Sequence, residues 1–325
     1  MTRATNTLRE VEIGEAQSTL GQGVAPIAVI VNGRSGANAR DGGALDRAMK
    51  VFGPERARLY RWSPREDITG LVERALADGA HAIVAAGGDG TAMAVAGAVL
   101  GRGCAFSVLP LGTFNYFARG LGIPEDPEDA ARAILDSDTR QIHVGTVNGQ
   151  VFLNNASLGI YPAILKERED IYGRYGRRRI MAHWSVIRTF LRFRKPMDLR
   201  IETDGETLLR RTPLLFVARS AYQLERYGLQ GGDAISDDSF AVLIGRASTR
   251  ADLFRVTARL VAQTAEPGVD YDFLATRKLT VQTRRRRDLL AYDGEKTRTP
   301  NPFEFRISEA PLTILLPRVQ EDLPG

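Results

Sequence analysis

A chain of 325 residues, 43% apolar and 26% charged, has room for two ordinary domains and the composition of a soluble globular protein. Its one cysteine, Cys104, excludes a disulfide framework and a thiolate zinc cluster, and the scattered His81, His143 and His183 lack metal-ligand spacing. A formal net charge of +5 favours an anionic neighbour, either a polyanion or a membrane surface.

Residues 1–24 contain no apolar core of the signal-peptide kind and are expected to form a flexible segment of a cytoplasmic protein. From Pro26 to about Leu135, short apolar strands alternate with amphipathic helices. Ile27–Val31, Arg58–Arg61, Ala82–Ala86 and Phe106–Leu109 read as strands. Ala44–Phe52, Asp67–Ala77, Thr91–Leu100 and Pro127–Leu135 read as helices. This alternation predicts an α/β domain over residues 25–138, a doubly wound parallel sheet covered on both faces. Ligands of such sheets collect at the carboxyl ends of the strands. Asn32 to Gly36, Gly87 to Thr91 and Pro110 to Thr113 all fall there.

The second of these loops is the most informative. Glycines at 87, 88 and 90 free the backbone to enter positive φ and to approach a ligand closely. Amides of residues 88–91 can then converge on phosphate oxygens at the positive end of the following helix. Asp89 would be an anion among phosphates unless a divalent cation stood between them, which points to a nucleotide with Mg²⁺. The plainer alternative is a simple strand-to-helix turn. A dinucleotide fingerprint is excluded because Met93 stands where its third glycine belongs. Neither a G-x-x-x-x-G-K-[ST] run nor a G-x-S-x-G elbow is present.

After the polar stretch Asp136–Arg140 the pattern changes to many short strands: Ile142–Val147, Val151–Asn155, Leu199–Thr203, Leu214–Ala218, Phe240–Ile244, Leu279–Thr283, Phe303–Ile307 and Leu312–Leu316. Turn dipeptides such as Asn148-Gly149 and Asp204-Gly205 separate several of them. Residues 139–318 therefore read as an antiparallel β-sandwich, with helices near Arg178–Phe193 and Arg250–Gln263 and a tail at 319–325. The segment Arg174–Lys195 combines many basic residues, Arg178 and Arg179 among them, with Ile180, Trp184, Ile187 and Leu191 at near-helical spacing. Such a helix either lies on an anionic membrane or packs its stripe on the sandwich. The run Arg284–Arg287 is a surface charge run by default, with a membrane or nucleic-acid patch as the alternative.

Four motifs in this order resemble the diacylglycerol kinase catalytic-domain family, particularly its bacterial soluble lipid kinases. Asn32-Gly-Arg-Ser35-Gly36 is similar to the first nucleotide loop, with Gly33 where proline is usual. Gly87-Gly88-Asp89-Gly90-Thr91 is the family signature. Pro110-Leu-Gly112-Thr113-Phe-Asn115 resembles the second nucleotide loop. Asp293-Gly294-Glu295 is similar to the motif whose glutamate is the general base. Read alone, it is a surface turn.

The resemblance implies an ATP- and Mg²⁺-dependent lipid kinase, with its site in the cleft between an α/β domain and a β-sandwich. Glu295 would take the acceptor's hydroxyl proton and Asp89 would hold Mg²⁺. The amides of 88–91 and the Thr113 hydroxyl would position the phosphates. It also implies a structural Mg²⁺ bound by Asp238 and the carbonyls of Ile235 and Phe240, with Asp237 as ligand if the register slips by one; Ser239 replaces the usual glycine. Tyr116 stands where the family continues with aspartate. The expected partner is a membrane lipid, reached by peripheral attachment to the anionic inner face of the membrane, with no nucleic acid. A kinase of a soluble acceptor such as NAD, and a nucleotide- or lipid-binding module with an impaired site, are the alternatives.

Overall fold

The computed structural model describes residues 26–32, 42–160 and 196–318, and among them the strands form three six-stranded sheets. Two compact units emerge. One comprises 26–32, 42–144 and 308–318, the other 145–160 and 196–307.

In the first unit, β1 (Ile27–Asn32), β2 (Ala57–Trp62), β3 (Ala82–Gly87) and β4 (Ala105–Pro110) run parallel. They alternate with α1 (Ala44–Phe52), α2 (Ile68–Ala77) and α3 (Asp89–Val99). β3 is buried at all its positions, as a central strand covered on both faces must be. The strand order begins β2-β1-β3-β4, so the chain steps outward from β1 to β2 and then back past β1 to β3. Right-handed crossovers send α1 to one face and α2 and α3 to the other. Accordingly α2 packs on α3, while α1 packs on α5 (Pro127–Leu135). Asp126 caps α5 by accepting from the amides of Glu128 and Asp129. The reversal between β1 and β3 opens a crevice at their carboxyl ends, where Asn32 and Gly87 sit.

The sheet continues with β18 (Leu312–Pro317), parallel to β4, and β5 (Ser137–Ile142), antiparallel to β18. The polar stretch at 136–140, read above only as the place where the pattern changes, supplies most of an edge strand that is largely half-buried. One expectation changes here. The last strand does not belong to the sandwich: it returns to the nucleotide-type sheet, so the change of unit falls at Gly145 and again at Ser308. His143 and Val144 hold that return, Nδ1 of His143 lying 2.7 Å from the Ser308 carbonyl and the Val144 amide donating to Ser308 Oγ at 3.0 Å.

The second unit is a sandwich of two antiparallel sheets. One contains β6 (Gly145–Val147), β7 (Gln150–Phe152), β9 (Met197–Glu202), β10 (Thr207–Thr212), β14 (Lys278–Thr283) and β17 (Phe303–Ile307). The other contains β8 (Asn155–Gly159), β11 (Leu214–Ala218), β12 (Phe240–Gly245), β13 (Tyr271–Thr276), β15 (Arg287–Tyr292) and β16 (Glu295–Pro300). Alternate residues of both sheets meet in one core around Phe152, Phe240, Phe303 and Phe305, with Phe152 against Phe240 and edge-on to Phe305. Among the described residues three helices decorate it: α6 (Ala221–Arg226), α7 (Gly232–Ser236) and α8 (Arg250–Val261).

Candidate functional site

The glycine turn after β3 and the loop after β4 form one structure. A Cβ on Gly112 would lie 2.4 Å from Gly88 Cα and 2.6 Å from Asn115 Oδ1, so the two backbones touch where no side chain fits. The amide of Leu111 donates to the Gly87 carbonyl at 3.0 Å, locking the loops in register. A Cβ on Gly87 would stand 2.5 Å from the buried Thr91 hydroxyl. The reason for glycine differs from the sequence expectation. Gly87, Gly88 and Gly90 are not in the left-handed region, and Gly88 is extended at φ −94, ψ −174. Close packing requires two of them, Gly88 against the Gly112 backbone and Gly87 against the Thr91 side chain.

Gly88 is the N-cap of α3, so the first turn of that helix begins at Asp89 and Gly90. The Thr91 amide bonds the Gly88 carbonyl at 2.9 Å. Asn115 is left-handed at φ 51 and nearly buried. Its side-chain amide brackets Gly112, accepting from Gly112 N at 3.0 Å and donating to Gly112 O at 3.2 Å. It shapes the loop. Gly112 and Thr113 face solvent beside it.

Asp89 Oδ1 accepts from the Phe117 amide at 3.1 Å, capping the short helix α4 (Tyr116–Gly120), whose own cap residue Asn115 supplies no side-chain bond. The same carboxylate thus joins the glycine turn to the second loop. Tyr116 stacks on the exposed Phe114 with ring centroids 5.7 Å apart. Asn32 ends β1 on the same rim and Trp62 ends β2, its indole donating to the Glu66 carbonyl at 3.1 Å. Ser35 and Gly36 lie outside the described residues, as do Arg178, Arg179 and Trp184.

In the sandwich, Asp293 and Gly294 form the two-residue turn between β15 and β16, with φ 45 and 86, the double positive φ of a type I′ hairpin. Sequence reasoning singled out this motif for Glu295 and missed the work of Asp293. Its carboxylate, 7% exposed, accepts from the amides of Leu153 (2.6 Å), Asn154 (2.8 Å) and Asn155 (3.1 Å), and its own amide donates to the Asn155 carbonyl at 3.0 Å. The hairpin tip is pinned to the β7–β8 turn, and Glu295 projects from the first residue of β16, exposed. Tyr292 pairs with it across the turn. Burial pushes the Tyr292 phenol above its ordinary value, and the Glu295 and Asp293 carboxylates push it further.

Two of the expected structural metal ligands, Asp238 and the Ile235 carbonyl, are engaged by protein donors. Asp237 is exposed and caps α7 through its backbone. Asp238, at φ 57, gives one carboxylate oxygen to Arg219 and the other to Arg277 Nη2 at 3.0 Å. The Ile235 carbonyl accepts from the Asp238 amide and from Arg219 Nη1, both at 3.1 Å. Phe240 opens β12 with its ring in the sandwich core. The Asp238 and Ile235 oxygens already serve protein donors, and two guanidinium groups repel a divalent cation there.

In a sheet of this kind the crevice at the switch point, where the glycine-paired loops lie, is where ligands bind. Residues 26–147 match the family model of the diacylglycerol kinase catalytic domain. Over these residues the chain is similar to that catalytic domain, and the relatives it resembles carry lipid kinase and diacylglycerol kinase names. A Pseudomonas aeruginosa protein named "probable lipid kinase YegS-like" is 42% identical over 135 residues, 41% of this chain and 44% of that one. The Bacillus subtilis protein named diacylglycerol kinase is 31% identical over 182 residues, 54% of this chain and 58% of that one. The chain thus matches about half the length of these relatives. The crystal structure of a diacylglycerol kinase from Bacillus anthracis strain Sterne shares the fold at a TM-score of 0.62 and 16% identity, covering 90% of this chain and 97% of that one.

Proposed function

We propose that this protein transfers the γ-phosphoryl group of ATP to the hydroxyl of a lipid such as diacylglycerol or a sphingoid lipid. The observation that carries the reading is the contact of Gly88 with Gly112, which fuses two amide-bearing turns on one rim of the parallel sheet. Backbone N–H groups there suit the triphosphate, and the exposed Thr113 hydroxyl adds a donor. The acceptor oxygen attacks the γ-phosphorus, the bond to the β-phosphate oxygen breaks, and ADP departs. Glu295, solvent-facing on a pinned hairpin, accepts the hydroxyl proton.

Mg²⁺ fits this chemistry, since a hard cation takes oxygen donors, keeps several waters and uses one or two carboxylates with the phosphates. Asp89 is the residue that would hold it, and it would neutralise charge on the transferring group. Tyr116 contributes no carboxylate, so Asp89 carries that role in the two loops.

The names of the relatives favour a lipid over a soluble acceptor. The net charge of +5 suits peripheral attachment to an anionic membrane on the cytoplasmic side, and among the described residues no helix is long and apolar enough to cross one. Labelled ATP incubated with the protein, Mg²⁺ and a total lipid extract should label a lipid, identified by mass. Label passing to NAD or another soluble acceptor, and to no lipid, would replace this reading.

A further inference from the structure

Two of the oxygens that the family resemblance assigns to a structural Mg²⁺, those of Asp238 and the Ile235 carbonyl, meet here on one side chain. Arg219 follows β11 and is held at both ends. Its amide donates to the Asn154 carbonyl at 2.7 Å, and its guanidinium reaches the Ile235 carbonyl and Asp238 Oδ1. The side chain is only 8% exposed, and a charge so buried must be compensated by its neighbours. They compensate it with one carbonyl and one carboxylate, the ligand types a magnesium ion would take. Both lone pairs of the Ile235 carbonyl are engaged, one by Arg219 and one by the Asp238 amide.

The arrangement also explains the backbone. Asp238 is left-handed just past α7, which turns its carboxylate back toward Arg219 while Ser239 N bonds the Ala234 carbonyl at 2.8 Å. Burial holds Arg219 below its usual value and Asp238 opposes this, yet a guanidinium stays protonated. Arg277 covers the remaining face of Asp238 from the β13–β14 turn.

We propose that Arg219 is a built-in cation: it replaces a bound divalent metal in clamping the α7 turn to the end of β11 and the start of β8, so this part of the sandwich is held without metal. The proposal concerns the sandwich alone and does not depend on phosphoryl transfer.

The test uses the nucleotide-free full chain. Mn²⁺ binding, followed by electron paramagnetic resonance, should give the same stoichiometry for the wild type and Asp238→Asn. The wild-type melting temperature should be the same in EDTA and in Mg²⁺. Arg219→Ala uncovers the oxygens and should gain a Mn²⁺ site absent from the wild type, lost again in Arg219→Ala/Asp238→Asn. Its melting temperature, lowered in EDTA, should rise saturably with Mg²⁺. A wild-type Mn²⁺ site that Asp238→Asn removes would overturn the proposal, and so would a folded Arg219→Ala chain that gains no site. If Arg219→Ala does not fold in EDTA, recovery of folded protein on adding Mg²⁺ supports the proposal. Failure in both conditions leaves the wild-type comparison of EDTA with Mg²⁺ to decide, a saturable Mg²⁺ rise counting against it.

Discussion

Gly88 and Gly112 touch through their backbones, so tightly that a single methyl on Gly112 would come within 2.4 Å of Gly88 Cα. Neither neighbour can yield by rotating a side chain, because one clash is with main chain and the other with the Asn115 amide that brackets the loop. Gly112→Ala should therefore push the two loops apart. The expected loss is about 1–3 kcal/mol of stability, the usual cost of overpacking. ATP affinity should fall at least about tenfold, a change that needs only about 1.4 kcal/mol. Calorimetric titration with ATP and chemical denaturation read the two effects; wild-type affinity in Gly112→Ala would mean that this contact does not shape the nucleotide loop.

Asp293 sits two residues before Glu295 and receives three backbone N–H groups from Leu153, Asn154 and Asn155. Replacing it by alanine leaves those buried donors without their carboxylate. The expected cost is roughly 2–4 kcal/mol, since each orphaned donor costs about 1–3 and water can reach some of them. Turnover should fall as well, because Glu295 depends on the hairpin for its position. Urea denaturation measures the first effect. A loss below about 0.5 kcal/mol, the range of an ordinary surface substitution, would show that the pin is dispensable.

The sequence revealed the elements whose burial writes a pattern. β3 is apolar throughout and α2 repeats its apolar residues at helical spacing, so the parallel sheet and its rim loops were readable from Ile27 to Leu135. β16 reads Glu-Lys-Thr-Arg-Thr-Pro, mostly exposed at the edge of its sheet, and no periodicity could announce it. β10, β13 and β15 escaped for a related reason, being outer strands or following an arginine run. β18 was seen as a strand, but its apolar residues say only that it is buried, not which sheet buries it. The site shows the same division. Glycine spacing located the turn that meets the second loop while misreading why glycine is needed there. The Asp238 motif gave no sign of Arg219, nineteen residues earlier, because that pairing exists only after the sheet has folded.

Acid should loosen α8 at its first turn. Thr249 and Asp252 form a capping box: the Thr249 hydroxyl accepts from the Asp252 amide at 3.1 Å, and Asp252 Oδ2 accepts from Thr249 N at 3.0 Å and from Ser248 N and Oγ. Hydrogen bonds from Thr249, then Ser248, hold the Asp252 carboxyl at about 2, against its ordinary 3.8. Because the folded value is the lower one, the ionised carboxylate supports the helix above about pH 4, and that support is lost as pH falls through about 2. Amide exchange at residues 252–254 should speed up over this range in the wild type, and Asp252→Asn should abolish the dependence. A carboxyl that titrates by nuclear magnetic resonance near 3.8 would contradict the capping-box account.

Glu295→Gln separates chemistry from binding. Glu295 is exposed, and its exchange for an isosteric amide removes the base without touching the Asp293 clamp. Stability should stay within about 0.5 kcal/mol of the wild type, as for most surface substitutions. ATP affinity should be unchanged, because the proposed phosphate turns are Gly88–Gly90 and Gly112–Thr113. Turnover on a lipid acceptor should fall about 10²–10⁴-fold, the usual worth of a positioned general base. Glu295→Asp keeps the carboxylate but shortens its reach, so its turnover should lie between the two. Steady-state assays at saturating lipid read this directly: a Glu295→Gln enzyme that retains full turnover cannot be using Glu295 as its base, and the proton must then leave by another group.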